Sequence, residues 1–142
     1  MRRLLFLLGL LVTCWWGMML VHEAGHALAA IATGGRVVRV EWPLVGFSRT
    51  DVAPNPHPLV VIWGGPALGA LMPLSMALLS RACRRRRVTI EVFSGFCLLA
   101  NGVYLAAGSL GRIGDAGDLL RHGAAPWTLW AIGLPLAAAG LA

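Results

Sequence analysis

The chain has 142 residues, 58% of them hydrophobic and only 13% charged, with a mean hydropathy of +0.74. A soluble domain has an apolar share of roughly 45–50% even with glycine counted, so an integral membrane protein is the first reading, with one domain over 1–142. The net charge of +6 comes from twelve arginines and no lysine; they punctuate apolar runs as membrane-boundary residues do, which argues against a soluble basic face for nucleic acid.

The N-terminus, MRRLLFLLGLLVTCWW, has the basic start and apolar middle of a signal peptide. The nearest small-residue cleavage pattern, Ala27-Leu28-Ala29, lies beyond the motif HEAGH, and the threonine before Cys14 makes LVTC a poor lipoprotein site. An uncleaved first span is therefore expected. Its apolar run, Leu4 to Val21, continues helically through HEAGHALAAIAT to Thr33, and Gly34-Gly35 ends it. About thirty helical residues reach roughly 45 Å, against a hydrocarbon core of about 30 Å. HEAGH thus falls near the far boundary of the bilayer, a little inside it.

Arg36 to Trp42 reads as a strand, with Val38, Val40 and Trp42 on one face and Val37, Arg39 and Glu41 on the other. Pro43 interrupts it, Gly46 to Val52 suits a return strand, and Pro54, Pro56 and Pro58 stiffen the connector that follows. A second apolar run, Leu59 to Leu79, carries a Gly65/Gly69 pair suited to close helix packing. The cluster Arg84 to Arg87 marks an interface. A third run, Val88 to Leu110, holds Glu91 and Asn101; a polar loop, Gly111 to Gly123, and a short run rich in Gly, Ala and Pro, Ala125 to Ala142, complete the chain. The expected fold class is an all-α polytopic membrane protein of about four spans with a short β-hairpin after the first. Cys14, Cys83 and Cys97 are scattered without a CxxC, and Cys14 and Cys97 read as apolar filler.

The chemistry concentrates in HEAGH. Residues four apart face the same way on a helix, so His22 and His26 can present two imidazoles to one ion. Imidazole nitrogen suits zinc, and zinc lowers the pKa of a bound water to about 7. Glu23, beside His22, can reach that water rather than the ion, take its proton and pass it to a leaving amine. A chance match is the bland alternative, but ionisable groups at membrane depth are rare and usually functional.

HEAGHALAAIATGGRVVRV followed by GGPALGALMP resembles the site-2-protease-type intramembrane metallopeptidases, peptidase family M50, and most closely its compact M50B-like branch; the resemblance runs from about Trp15 to Trp130. It implies a core of three transmembrane helices with a β-hairpin after the first, and zinc-dependent proteolysis within the membrane. It also implies a third ligand, an aspartate followed by glycine, whose matching position is Asp115 in GDAGDLL. Here Ala116 stands in place of that glycine, and the family's asparagine-proline element before the aspartate is not visible.

Asp115 follows the third run, in a loop that returns to the side where HEAGH ends. It could instead cap a helix over DAGDLLRH. Asp118 and His57 are the other candidate ligands, and His122 suits a helix end. Asp51 and Glu41 read as solvated hairpin charges. Asn101 suits a hydrogen bond to a neighbouring helix more than a substrate or oxyanion contact. The strand Arg36–Trp42 could pair with an unwound substrate segment or simply lie on the interface. Trp127 and Trp130 suit belt or packing positions; Trp15 and Trp16, mid-run, suit core or lipid-facing ones.

With four spans, Arg2, Arg3, Arg81 and Arg84 to Arg87 share one side, and Arg36, Arg39, Arg49, Arg112 and Arg121 the other. The positive-inside rule then favours a cytoplasmic N-terminus with HEAGH near the external face, whereas the resemblance implies a zinc open to the cytosol. The function expected is a zinc metalloendopeptidase of the cell membrane acting on membrane-spanning or membrane-adjacent proteins, with His22, His26 and Asp115 as ligands and Glu23 as general base. The alternatives are a non-proteolytic membrane scaffold with a structural metal and, less favoured, a transporter with HEAGH on an ion path.

Overall fold

The computed structural model describes residues 1–44, 46–80 and 87–142. Along the chain come α1 (Arg2–Ala32), a hairpin of β1 (Val37–Glu41) and β2 (Arg49–Val52), α2 (Pro58–Ser80), α3 (Arg87–Gly111), the short α4 (Gly114–Arg121) and α5 (Pro126–Leu141). Arg81, Cys83 and Arg84 to Arg86, most of the expected interface cluster, lie outside the described residues. Among the described residues three helices, α1, α2 and α3, are long and apolar enough to cross a membrane. The apolar α5 has 16 residues, which at about 1.5 Å each fall short of a core of about 30 Å.

The first half of α1 turns large apolar side chains outward, among them Leu4, Leu5, Phe6, Leu8, Leu11 and Val12. Such a surface suits lipid and not water. The buried residues of α1 begin at Cys14 and gather around HEAGH, so protein packing is confined to the half of the helix that carries the motif. The helix stops where its sequence indicates. The Thr33 hydroxyl donates to the Ala29 carbonyl at 2.7 Å, Gly34 takes φ +79°, and the Gly35 N–H returns to the Ala30 carbonyl at 2.8 Å.

The hairpin is antiparallel, pairing Val37 with Val52 and Glu41 with Arg49, with an irregularity between Val37 and Arg39. Both strands are shorter than their patterns suggest. Residues 46–48 leave the ladder: Gly46 sits at φ +110°, and Ser48 turns to α1 instead of pairing with β1.

Close helix approach depends on glycine. A Cβ on Gly64 of α2 would lie 2.5 Å from the Gly25 carbonyl oxygen of α1, and one on Gly102 of α3 would lie 2.6 Å from the Gly133 carbonyl of α5. The α1–α2 contact therefore runs through the glycine of HEAGH and Gly64. Gly65 of the expected Gly65/Gly69 pair lies at this same approach, its Cα 2.9 Å from where a Gly25 Cβ would stand, and it also faces the rings of His22 and His26, while Gly69 faces Asn101 of α3. One buried cluster, Ile62, Leu105, Ala116, Leu119 and Leu129, seats α4 against α2, α3 and α5. Cys14 and Cys97 are free and buried, as apolar filler would be.

Candidate metal centre

The motif lies on the buried stripe of α1, with His22, Glu23 and His26 all buried. Each offers a ligand atom within 4.8 Å of the others. Across from them, α4 brings in Asp115: its Oδ2 is 2.7 Å from His22 Nε2 and its Oδ1 is 3.4 Å from His26 Nε2.

The far side of each ring is fixed. Asn101 Nδ2 donates to the Cys97 carbonyl at 2.9 Å and faces the Gly69 carbonyl at 3.4 Å. Pro73 has no N–H to offer Gly69 four residues back, so that carbonyl is available to Asn101. The amide is thereby oriented with Oδ1 toward His22 Nδ1, at 2.7 Å. An amide oxygen only accepts, so Nδ1 of His22 carries the hydrogen. His26 Nδ1 likewise donates to the Val61 carbonyl at 2.8 Å. In the neutral rings both Nε2 atoms then hold lone pairs, and both lone pairs face carboxylate oxygens. Acceptor against acceptor is unfavourable unless a cation, either a proton or a metal ion, lies between them. Two imidazoles and a carboxylate, with the distal ring nitrogens tied to oxygens, form a donor set that fits zinc.

Burial opposes the charge on Asp115, yet the hydrogen bonds that His22 and His26 donate when Nε2 carries a proton outweigh it and hold the carboxyl well below the usual carboxylate range. Its position is set by Gly114 at φ +54°, where any Cβ would strike the Tyr104 hydroxyl. The glycine this turn needs thus precedes the aspartate. Ala116, in the place of the family's glycine, is a fully buried helical residue packed toward Gly108. Asp115 does not cap α4; Ile113 occupies that position and Asp115 lies in the first turn.

Glu23 is held differently. Ser48 Oγ donates to Oε1 at 2.7 Å and Thr50 Oγ1 to Oε2 at 2.5 Å. The other candidates stand apart. Asp118 pairs with Arg121, His57 is exposed at the start of α2, and His122 Nδ1 bonds the Asp118 carbonyl at the end of α4. Glu41 pairs with Arg39 and Asp51 with Arg49 on the hairpin.

Two cavities meet at His22 and Glu23. One, of about 590 Å³, is apolar and runs between α1 and α3 past Trp15, Met18, Phe96 and Val103. The other, of about 610 Å³, is polar and lies beneath the hairpin, lined by Arg49, Asp51, Asp118 and His122 among others. Phe47 and Tyr104 line both; their rings stack at 5.3 Å. Sequence reasoning missed Ser48, Thr50, Phe47, Tyr104 and the Val61 carbonyl, and assigned Asn101 a helix contact without its bond to His22. The one available signal was the alternation of hydroxyls at 48 and 50, which places both on one face of an extended segment.

No curated protein and no solved structure matches the chain. The Peptidase M50B-like family matches residues 4–113, from the first helix to two residues before Asp115. That match takes in HEAGH, the hairpin and the three long helices, and the chain belongs to the Peptidase M50B-like family.

Proposed function

We propose that this protein is an intramembrane zinc metalloprotease of the cell membrane that hydrolyses peptide bonds of membrane-spanning or membrane-adjacent proteins. One observation carries the reading: the Nε2 atoms of His22 and His26 converge on the Asp115 carboxylate while both Nδ1 atoms are tied behind them. His22, His26 and Asp115 would hold the metal. Zinc bound there supplies Lewis-acid polarisation and a water acidified to a pKa of about 7.

Glu23 then acts as general base and acid. An ionised carboxylate has about four lone-pair sites, and the two hydroxyl bonds leave capacity on each oxygen to take a proton from water. Glu23 would release that proton to the leaving amine. The apolar cavity suits the side chains of a segment drawn from the bilayer, and the polar cavity suits water. An extended segment could pair with a free hairpin edge, which would expose a bond that a spanning helix hides. Within this reading α5 completes the bundle as a short fourth membrane helix packed on α3.

A scaffold with a structural metal calls for a closed ligand shell. Two cavities at the site, and a glutamate bonded to hydroxyls beside the converging ligands, favour hydrolysis. The test is purified protein in detergent with fluorescein-labelled casein as the substrate. Wild type should bind about one zinc per chain and cleave, and Glu23→Gln should keep the zinc and lose cleavage. Equal cleavage by Glu23→Gln, or no zinc bound by folded wild type, would overturn the reading.

A further inference from the structure

We propose that Ser48 and Thr50 are positioning residues that aim the Glu23 carboxylate at the metal site. The inference rests on the reading of Glu23 given above. It begins with the freedom of a glutamate: the carboxylate of a long side chain rotates about its last bond, and a single hydrogen bond does not stop that rotation. Here each oxygen has its own donor, Ser48 on Oε1 and Thr50 on Oε2. Two bonds to two different oxygens fix both the position and the plane of the group. Both donors come from the hairpin, 25 and 27 residues away in the chain, so the orientation is imposed from outside α1.

The local structure serves that contact. β2 begins at Arg49, and the segment before it departs from the ladder through Gly46 at φ +110°. Ser48 and Thr50, two residues apart along an extended segment, project to the same side. Arg49, between them, is exposed and pairs with Asp51 instead of Glu23. The segment thus gives Glu23 two hydroxyls, while its cation is engaged by Asp51. Hydroxyls also suit the task chemically, since they donate without bringing charge; an arginine or lysine at either position would pair with Glu23 and compete for its proton-accepting role. Groups that act on a reacting atom must be held within about 0.5 Å of their working position.

The test uses cobalt as a spectroscopic stand-in for zinc in the full-length protein. Wild type, Glu23→Ala, the double variant Ser48→Ala/Thr50→Val, and Thr50→Ser are each loaded with cobalt, with stoichiometry and circular dichroism confirming equal loading and folding. Displacing Glu23 changes the surroundings of the metal, so the visible absorption of the double variant should move to that of Glu23→Ala at about one cobalt per chain. Thr50→Ser, which keeps the hydroxyl, should match wild type and so separates positioning from hairpin packing. A wild-type spectrum in the loaded double variant overturns the inference and leaves the metal reading intact. A Glu23→Ala spectrum equal to wild type overturns it as well, since the carboxylate would not attend the metal. No cobalt bound by wild type overturns both.

Discussion

Asn101 Oδ1 lies 2.7 Å from His22 Nδ1, and the Asn101 amide cannot be reversed without turning its oxygen toward the carbonyls of Cys97 and Gly69. The asparagine therefore selects the tautomer of His22 and aims its Nε2 at Asp115. Partners of this kind are commonly worth 10–100-fold, roughly, in metal affinity. Asn101→Leu should weaken zinc binding by about that factor, read by competition with a fluorescent chelator. An unchanged affinity in Asn101→Leu would mean that the ring is held by its packing alone.

Asp115 and Asp118 lie on the same short helix, but only Asp115 meets the histidines. Asp115→Ala should lose most of the roughly one zinc per chain expected of wild type. Asp118 is engaged with Arg121 on the surface and His57 is exposed, so Asp118→Ala and His57→Ala should keep it. Their stability should stay within about 0.5 kcal/mol of wild type. Metal analysis of the three purified variants, with circular dichroism for folding, checks the assignment. Zinc retained by Asp115→Ala would remove it from the ligand set.

Much of this was legible in the sequence, for physical reasons that differ by element. The long apolar runs mark α1, α2 and α3 because lipid demands length and hydropathy, and Gly34-Gly35 marks the end of α1. His22, Glu23 and His26 are legible because the helix alone sets their common face. Asp115 came from a family pattern, and its local spacing could not decide it: the required turn is made by Gly114 before the aspartate, so the aspartate-glycine pattern reads imperfectly although the geometry is met. Ser48, Thr50 and Asn101 act across 25 to 79 residues of chain. Periodicity within one element carries no information about such contacts. The Gly65/Gly69 pair shows the same limit, since its spacing indicates close helix packing but not that the neighbours packed there are the rings and amide of the site.

Gly65 provides a direct test of that last point. A Cβ there would lie 2.8 Å from His22 Nε2 and closer still to His26 Nε2, and neither ring can retreat without breaking its bond to Asn101 or Val61. Gly65→Ala should abolish zinc binding and cost about 1–3 kcal/mol, the usual range for overpacking a tight site. Gly9→Ala, where a Cβ would meet nothing within 4 Å, should leave zinc content unchanged. Normal zinc binding by Gly65→Ala would show that α2 can move aside at this point.

The proposed metal ligands join α1 to α4 across 93 residues of sequence, so the complete set exists only in the folded chain. A ligand that binds only the folded state stabilises it by mass action, by about 2.7 kcal/mol at a hundred times its Kd. Chelation of the detergent-purified protein should therefore lower its Tm, and added zinc should restore it. Asp115→Ala should begin near the chelated wild-type value and respond weakly to either treatment. Magnesium should not substitute, because two imidazoles suit zinc and magnesium prefers oxygen donors. A Tm indifferent to chelation in wild type that has been shown to hold zinc would mean that the thermal transition does not release the metal, so the site would not depend on the packing of α4 against α1.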